Sequence, residues 1–218
     1  MRARRGIPFV LGCALAAWVA VPAVADHHES QTAEGQEAHA EHGEMQHGEM
    51  SAEEQAAMAA WQKAMTPGPQ HAELASSAGD WDLALTMWME PGAEPTKTTA
   101  TATRTMLWDR ILVEDVQGDM MGMAFTGHGM TGYDNVTGEW WSTWMDNMST
   151  GVMTSTGTWD EESGTATYWG ESVDPMTGKP MKVRMVITPG ADKETMVMYM
   201  TPEGGEEHKS MEIVYTRK

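Results

Sequence analysis

Cysteine is almost missing from this chain: Cys13 is the only one, and it lies inside an apolar N-terminal stretch. If that stretch is removed on export, no thiol remains, so disulfides and thiol nucleophiles are both excluded. Basic residues are also scarce, with 14 Lys+Arg against 32 Asp+Glu and a formal charge of -18. Nucleic acid and anionic lipid surfaces need basic patches, so neither is expected as a partner. The usual core residues are thin as well, with two phenylalanines and seven leucines against 22 methionines and ten tryptophans. No apolar run of membrane-spanning length, about 20 residues, occurs anywhere. Three hydrolase signatures are missing too: Gly-x-Ser-x-Gly, His-Glu-x-x-His and a paired-carboxylate arrangement better than chance. The expectation is a protein that binds and is not an enzyme.

What is present begins with a three-part leader. Arg2, Arg4 and Arg5 precede an apolar stretch from Ile7 to Val21, and Ala23-Val24-Ala25 supplies small residues for cleavage. That pattern predicts a signal peptide over residues 1–25 and export to the periplasm or the exterior. Removing its three arginines leaves 11 basic against 32 acidic residues, a charge of -21. Residues 26–50 hold five histidines, many glutamates and no aliphatic side chain beyond alanine except Met45 and Met50. Such a tail cannot bury enough apolar area to offset chain entropy and is expected to be disordered. Cleavage after Ala25 would expose Asp26-His27-His28, where an amine, two amides and an imidazole form a planar nitrogen set suited to Cu(II).

Residues 51–78 read as a helical lead-in. Ser51-Ala52-Glu53-Glu54 is a capping box ahead of Gln55 to Met65, with Met58, Trp61 and Met65 on one stripe. Thr66-Pro67-Gly68-Pro69 stops that helix, and a second is expected over His71 to Ser77. From Gly79 the period falls to two. Strands are predicted over Trp81 to Glu90, Lys97 to Trp108, Ile111 to Gln117, Met120 to Gly129, Glu139 to Asn147, Gly151 to Trp159, Thr165 to Val173, Met181 to Thr188, Thr195 to Thr201 and His208 to Arg217. Tyr133 to Gly138 reads as a turn. About ten strands joined by hairpin-like breaks, with no crossover helices, predict an all-β domain over residues 79–218. A closed antiparallel up-and-down barrel is the arrangement that leaves no edge. An outer-membrane barrel fits less well, because the strands are short and aromatic girdles are absent.

Gly79-Asp80-Trp81 at the head of the first strand resembles the Gly-x-Trp start of lipocalins, in which a late arginine covers the tryptophan. Arg217 is the matching residue here. A longer resemblance runs from about Ser51 to Lys218. It is carried by Thr66 to His71, Gly79-Asp80-Trp81, Gly127 to Asn135, Ser142 to Asp146, Thr177 to Pro180 and Met211 to Lys218. In these the chain resembles the bacterial family catalogued as domain of unknown function 1579. That resemblance implies a calycin-like barrel and carries no activity with it.

Methionines recur at two-residue spacing in Met87/Met89, Met121/Met123 and Met196/Met198/Met200, which in a strand puts each set on one face. Such faces are ordinary core filler, a polarizable lining for an apolar ligand, or thioether ligands for Cu(I). Of Trp140, Trp141 and Trp144, at least one must face each side of the sheet. The candidate ligand lining is Trp81, Met87, Met123, Phe125, Trp144, Met185 and Met198. Arg104 shares a face with Met106 and Trp108, so an internal Arg–carboxylate pair could orient a ligand headgroup. His128 is a weak haem candidate, with a local hydrogen bond at a strand end as the simpler reading. The leading expectation is therefore an exported barrel binding a small apolar or amphipathic molecule. Copper handling or oxidant scavenging through the tail and methionines, or a docking barrel without ligand, are the alternatives.

Overall fold

The computed structural model describes residues 50–218. The leader, the histidine-rich tail and the Asp26-His27-His28 copper site therefore lie outside the described residues. Helix α1 (Ala52–Met65) starts at the expected capping box, with Ser51 and Glu54 satisfying each other's backbone. No residue of α1 is buried, and the Met58, Trp61 and Met65 stripe is exposed. Helix α2 (Pro69–Ser76) follows at once. Gly68 is its cap, Pro69 supplies a preset first turn, and His71 Nδ1 accepts from the Gly68 N–H at 3.0 Å.

Ten strands complete the chain: β1 (Gly79–Met87), β2 (Thr96–Leu107), β3 (Ile111–Met120), β4 (Met123–Asp134), β5 (Glu139–Asp146), β6 (Met153–Asp160), β7 (Thr165–Val173), β8 (Pro180–Thr188), β9 (Lys193–Pro202) and β10 (His208–Arg217). Each pairs antiparallel with its sequence neighbour, and β1 pairs with β10, so the sheet is a closed barrel without edges. Two hairpins turn on two residues with positive φ. Trp108 and Asp109 (φ 54° and 55°) join β2 to β3, and Met121 and Gly122 (φ 55° and 80°) join β3 to β4. Turns of that handedness match the twist of the flanking strands.

These turns correct two sequence expectations, and the end of β1 corrects a third. Met121 occupies a turn and shares no strand face with Met123, and Trp108 leaves the Arg104 face for an exposed turn. Met89 lies beyond the end of β1 and is exposed. Strand β4 also runs five residues past the predicted Gly129 and takes in Tyr133 and Asp134, so the turn begins only at Asn135.

Alternation decides which side chains face the lumen. Trp81, Leu83 and Leu85 are buried on β1 while Asp82 and Ala84 are exposed. The cross-strand register carries that parity around the barrel. One irregularity matters: a bulge between Lys209 and Met211 on β10, where Ser210 Oγ donates to the Met198 carbonyl. It resets the pairing so that Met211, Ile213, Tyr215 and Arg217 face inward. A one-residue slip would have turned Glu212 and Thr216 inward in their place.

Two buried clusters fill the interior. One joins Trp81, Leu83, Leu85, Val116, Phe125 and Ile213; the other joins Leu74, Leu112, Trp140, Tyr168, Val183 and Met185. Leu74 comes from α2, which lies against β2, β3 and β4 and covers that end of the barrel. His71 is buried beside it and meets Tyr133 edge-on at 6.2 Å.

Candidate ligand-binding interior

The covered end is organised by Trp81, which is fully buried. Its indole N–H donates to the Ser77 carbonyl at 3.0 Å, and the Arg217 guanidinium lies 4.3 Å from the ring centroid. Arg217 also donates to the carbonyls of Ala78, Ser76 and Ala191. The arginine expected over this tryptophan is in place, tying β10 to the α2–β1 junction.

Next to Trp81 sits a buried ionic cluster. Arg104 is flanked by Trp81 and Tyr215, whose ring centroids lie 5.2 and 4.5 Å from the guanidinium carbon. Its Nε donates to Glu114 at 2.7 Å, and Nη1 and Nη2 donate to the two Glu194 oxygens at 3.1 and 2.9 Å. Arg104 and Glu194 are buried, and the Glu114 side chain retains 16 % exposure. Burial by itself would favour loss of the guanidinium proton, but Glu114 and Glu194 outweigh it and hold Arg104 charged. Burial pushes the Glu114 carboxyl above the ordinary glutamate value, and Arg104 only partly offsets that. Burial also raises the Tyr168 and Tyr215 hydroxyls, so both stay protonated.

The wall beside the cluster is shaped by glycine. Gly129 pairs with Glu114 on one side and Trp144 on the other. The Trp144 indole lies against the wall at Gly127 and Gly129, where added methyl groups would sit 2.4 and 3.1 Å from ring atoms. Phe125 stacks on it at 6.4 Å, and Asp146 Oδ2 accepts from its N–H at 2.9 Å. Trp140 also faces in, whereas Trp141 lies on the outer face against Gly132.

From the opposite end inward the lining becomes methionine. Met87, Met211, Met198 and Met185 are successive cross-strand partners on β1, β10, β9 and β8. Direct partners have β-carbons about 5 Å apart, so their thioethers form one continuous row. Met120, Met153, Met181 and Met200 have inward parity near the same end and are half-buried. Of the sequence candidates, Trp81, Phe125 and Met185 are buried, while Met87, Trp144 and Met198 are half-buried. Met123 keeps the inward parity but is 50 % exposed at the first residue of β4, so it belongs to the rim.

Other candidates fall outside. His128 lies on the outer wall, where its Nδ1 is 2.7 Å from Asp115, and it does not face the lumen. Arg184 pairs with Glu207 on the outside and lies over the Tyr199 ring at 4.1 Å. Two shallow depressions, of about 500 and 330 Å³, are both formed mainly by outer-face residues, the first around Ala84, Thr99 and Val214 and the second around Trp169 and Arg184. Among the described residues, no three His, Cys, Asp or Glu side chains cluster to hold a metal ion. No described helix is long and apolar enough to cross a membrane.

Fold and lining together define a closed ten-stranded meander barrel with a buried ionic cluster near its covered end and methionines toward the other. The chain belongs to DUF1579, a protein family of unknown function, whose model matches residues 66–217. That span starts at the Thr66 stop signal and covers α2 and the whole barrel. The structure is similar to the crystal structure of Rv2717c from M. tuberculosis, with a TM-score of 0.51 and 13% identity over 70% of this chain and 99% of that one. At that identity the likeness shows the fold alone. A search of curated proteins finds no match.

The ionic cluster was only half visible in the sequence. Arg104 stood out as a charge on an apolar face, but Glu194 lies 90 positions away and announces itself only once β2 and β9 share a lumen. Glu114 carried a signal that can be recognised afterwards, since it alternates with Leu112 and Val116 on β3.

Proposed function

We propose that the barrel binds a small amphipathic molecule, its apolar part along the methionine row and its polar end toward the Arg104 cluster. The observation that carries this reading is the polarity gradient of the lumen. Thioethers run inward from one end, half-buried except for the buried Met185, and ionised and hydroxylic groups lie toward the covered end. Methionine is suited to such a lining because its unbranched, polarizable side chain adapts to irregular apolar shapes. The aromatic wall of Trp144 and Phe125 offers a rigid surface between the two regions. Export and a binding role without chemistry belong to the same proposal.

Native mass spectrometry tests it. Protein secreted by a bacterial host and incubated with an apolar extract of those cells should carry an added mass of a few hundred daltons that is lost on denaturation. The bare polypeptide mass under both conditions would overturn the reading.

A second reading rests on the methionine row itself. Neutral thioethers are soft ligands, and Met87, Met211, Met198 and Met185 lie in register on four neighbouring strands. Three of them converging would suit Cu(I). Titration with Ag(I) should then show one site that Met198→Leu with Met211→Leu abolishes. The N-terminal Cu(II) proposal is separate: His28→Ala should remove a visible-absorbing complex there, and an unchanged spectrum would contradict it.

A further inference from the structure

The buried cluster sets the sign of the ligand's polar end. Arg104 is the cation that both buried glutamates engage, and all three of its nitrogens are taken up by Glu114 and Glu194. Trp81 and Tyr215 pack against the same guanidinium, their ring centroids 5.2 and 4.5 Å from its carbon. A ligand carboxylate would therefore find no free fork and would add a third anion to two buried ones. With both glutamates ionised, one positive charge faces two negative charges, leaving the cluster at minus one.

Glu114 holds that excess. One of its oxygens accepts from Arg104, and the other meets no hydrogen-bond donor of the described residues. The second oxygen is not sealed away either, because Thr143 Oγ1 is the only buried side-chain polar atom without a partner among the described residues. The neighbour across the β3–β4 ladder is Gly129, which projects no side chain, and the next residue across is Trp144. A carboxylate oxygen without a donor and an indole packed over the intervening glycine thus follow one another on adjacent strands. A carboxylate beside an aromatic ring attracts an ammonium through both charge pairing and the ring quadrupole.

Resting on the proposed function above, we infer that the ligand's polar end is cationic, a protonated amine on an apolar chain that pairs with Glu114 beside Trp144. Binding then balances two carboxylates with two cations, which is the condition for burying charge at low cost.

Calorimetric titration of the full chain with dodecylamine, dodecanol and dodecanoate, each below its micellar concentration and at high salt, tests this. Dodecylamine should bind at least tenfold more tightly than dodecanoate. Glu114→Gln should remove that preference while dodecanol binding persists, and Trp144→Leu should weaken the amine more than the alcohol. High salt suppresses non-specific attraction of the amine to this acidic chain. Equal or tighter binding of dodecanoate would overturn the inference and leave the carrier reading standing, as would an amine preference unchanged in Glu114→Gln. Failure of all three chains to bind would overturn both.

Discussion

Arg217 lies over Trp81, 4.3 Å from its ring centroid, and the two residues are direct partners across the β10–β1 seam that closes the barrel. The same guanidinium binds carbonyls of Ser76, Ala78 and Ala191, so one side chain joins the seam, the end of α2 and the β8–β9 loop. Arg217→Ala should cost about 3 kcal/mol, combining the cation–π contact with hydrogen bonds from a charged donor. Arg217→Lys should recover only part of it, because an ammonium cannot span three divergent carbonyls. Urea unfolding of both variants measures this.

Gly127 exists for Trp144. A methyl group there would lie 2.4 Å from the indole, so Gly127→Ala must displace the ring or the strand. Overpacking of this kind costs roughly 1–3 kcal/mol. The variant should also shift tryptophan emission, because the displaced indole loses its stack on Phe125 and its bond to Asp146.

Arg104→Met should be among the most damaging single changes, at about 4 kcal/mol, since it strands two carboxylates in the lumen. Replacing Glu114 and Glu194 with Gln in the same chain should restore much of that loss. Thermal unfolding of the single and triple variants decides it, and an unrelieved triple variant would contradict the electrostatic account.

Glu114 also gives stability a direction with pH. Its folded-state pKa is raised above the ordinary 4.5, first by burial. From pH 4.5 up to the raised value, the folded barrel holds a proton that the unfolded chain has lost. Stability therefore falls as pH rises through that window and stays lower above it. Glu114→Gln should flatten this decline, and denaturant midpoints across the window give the measurement.

Much of the barrel was legible because alternation survives in most strands: Trp81, Leu83 and Leu85 declare β1 without help from the rest of the chain. Strand β4 was harder. Its glycines look like strand breakers, yet they match aromatic rings on β5, Gly127 and Gly129 with Trp144 and Gly132 with Trp141. That complementarity becomes visible only when the two strands are laid side by side. The methionine row was out of reach for a different reason. Met211 enters it through the bulge at Lys209/Met211, and no residue pattern in β10 marks a one-residue reset. Ionic partners such as Arg104 and Glu194 are joined by barrel closure, a global property that local periodicity does not report.

The most direct test of lumen binding is a titration with the neutral fluorescent probe N-phenyl-1-naphthylamine, using wild type, Met198→Trp and Ala84→Trp. Met198 lies in the methionine row, whereas Ala84 lines the larger outer depression. The account predicts saturable binding of one probe per chain in wild type and Ala84→Trp, abolished in a folded Met198→Trp. Binding that survives Met198→Trp and disappears in Ala84→Trp would place the site outside the barrel and contradict it.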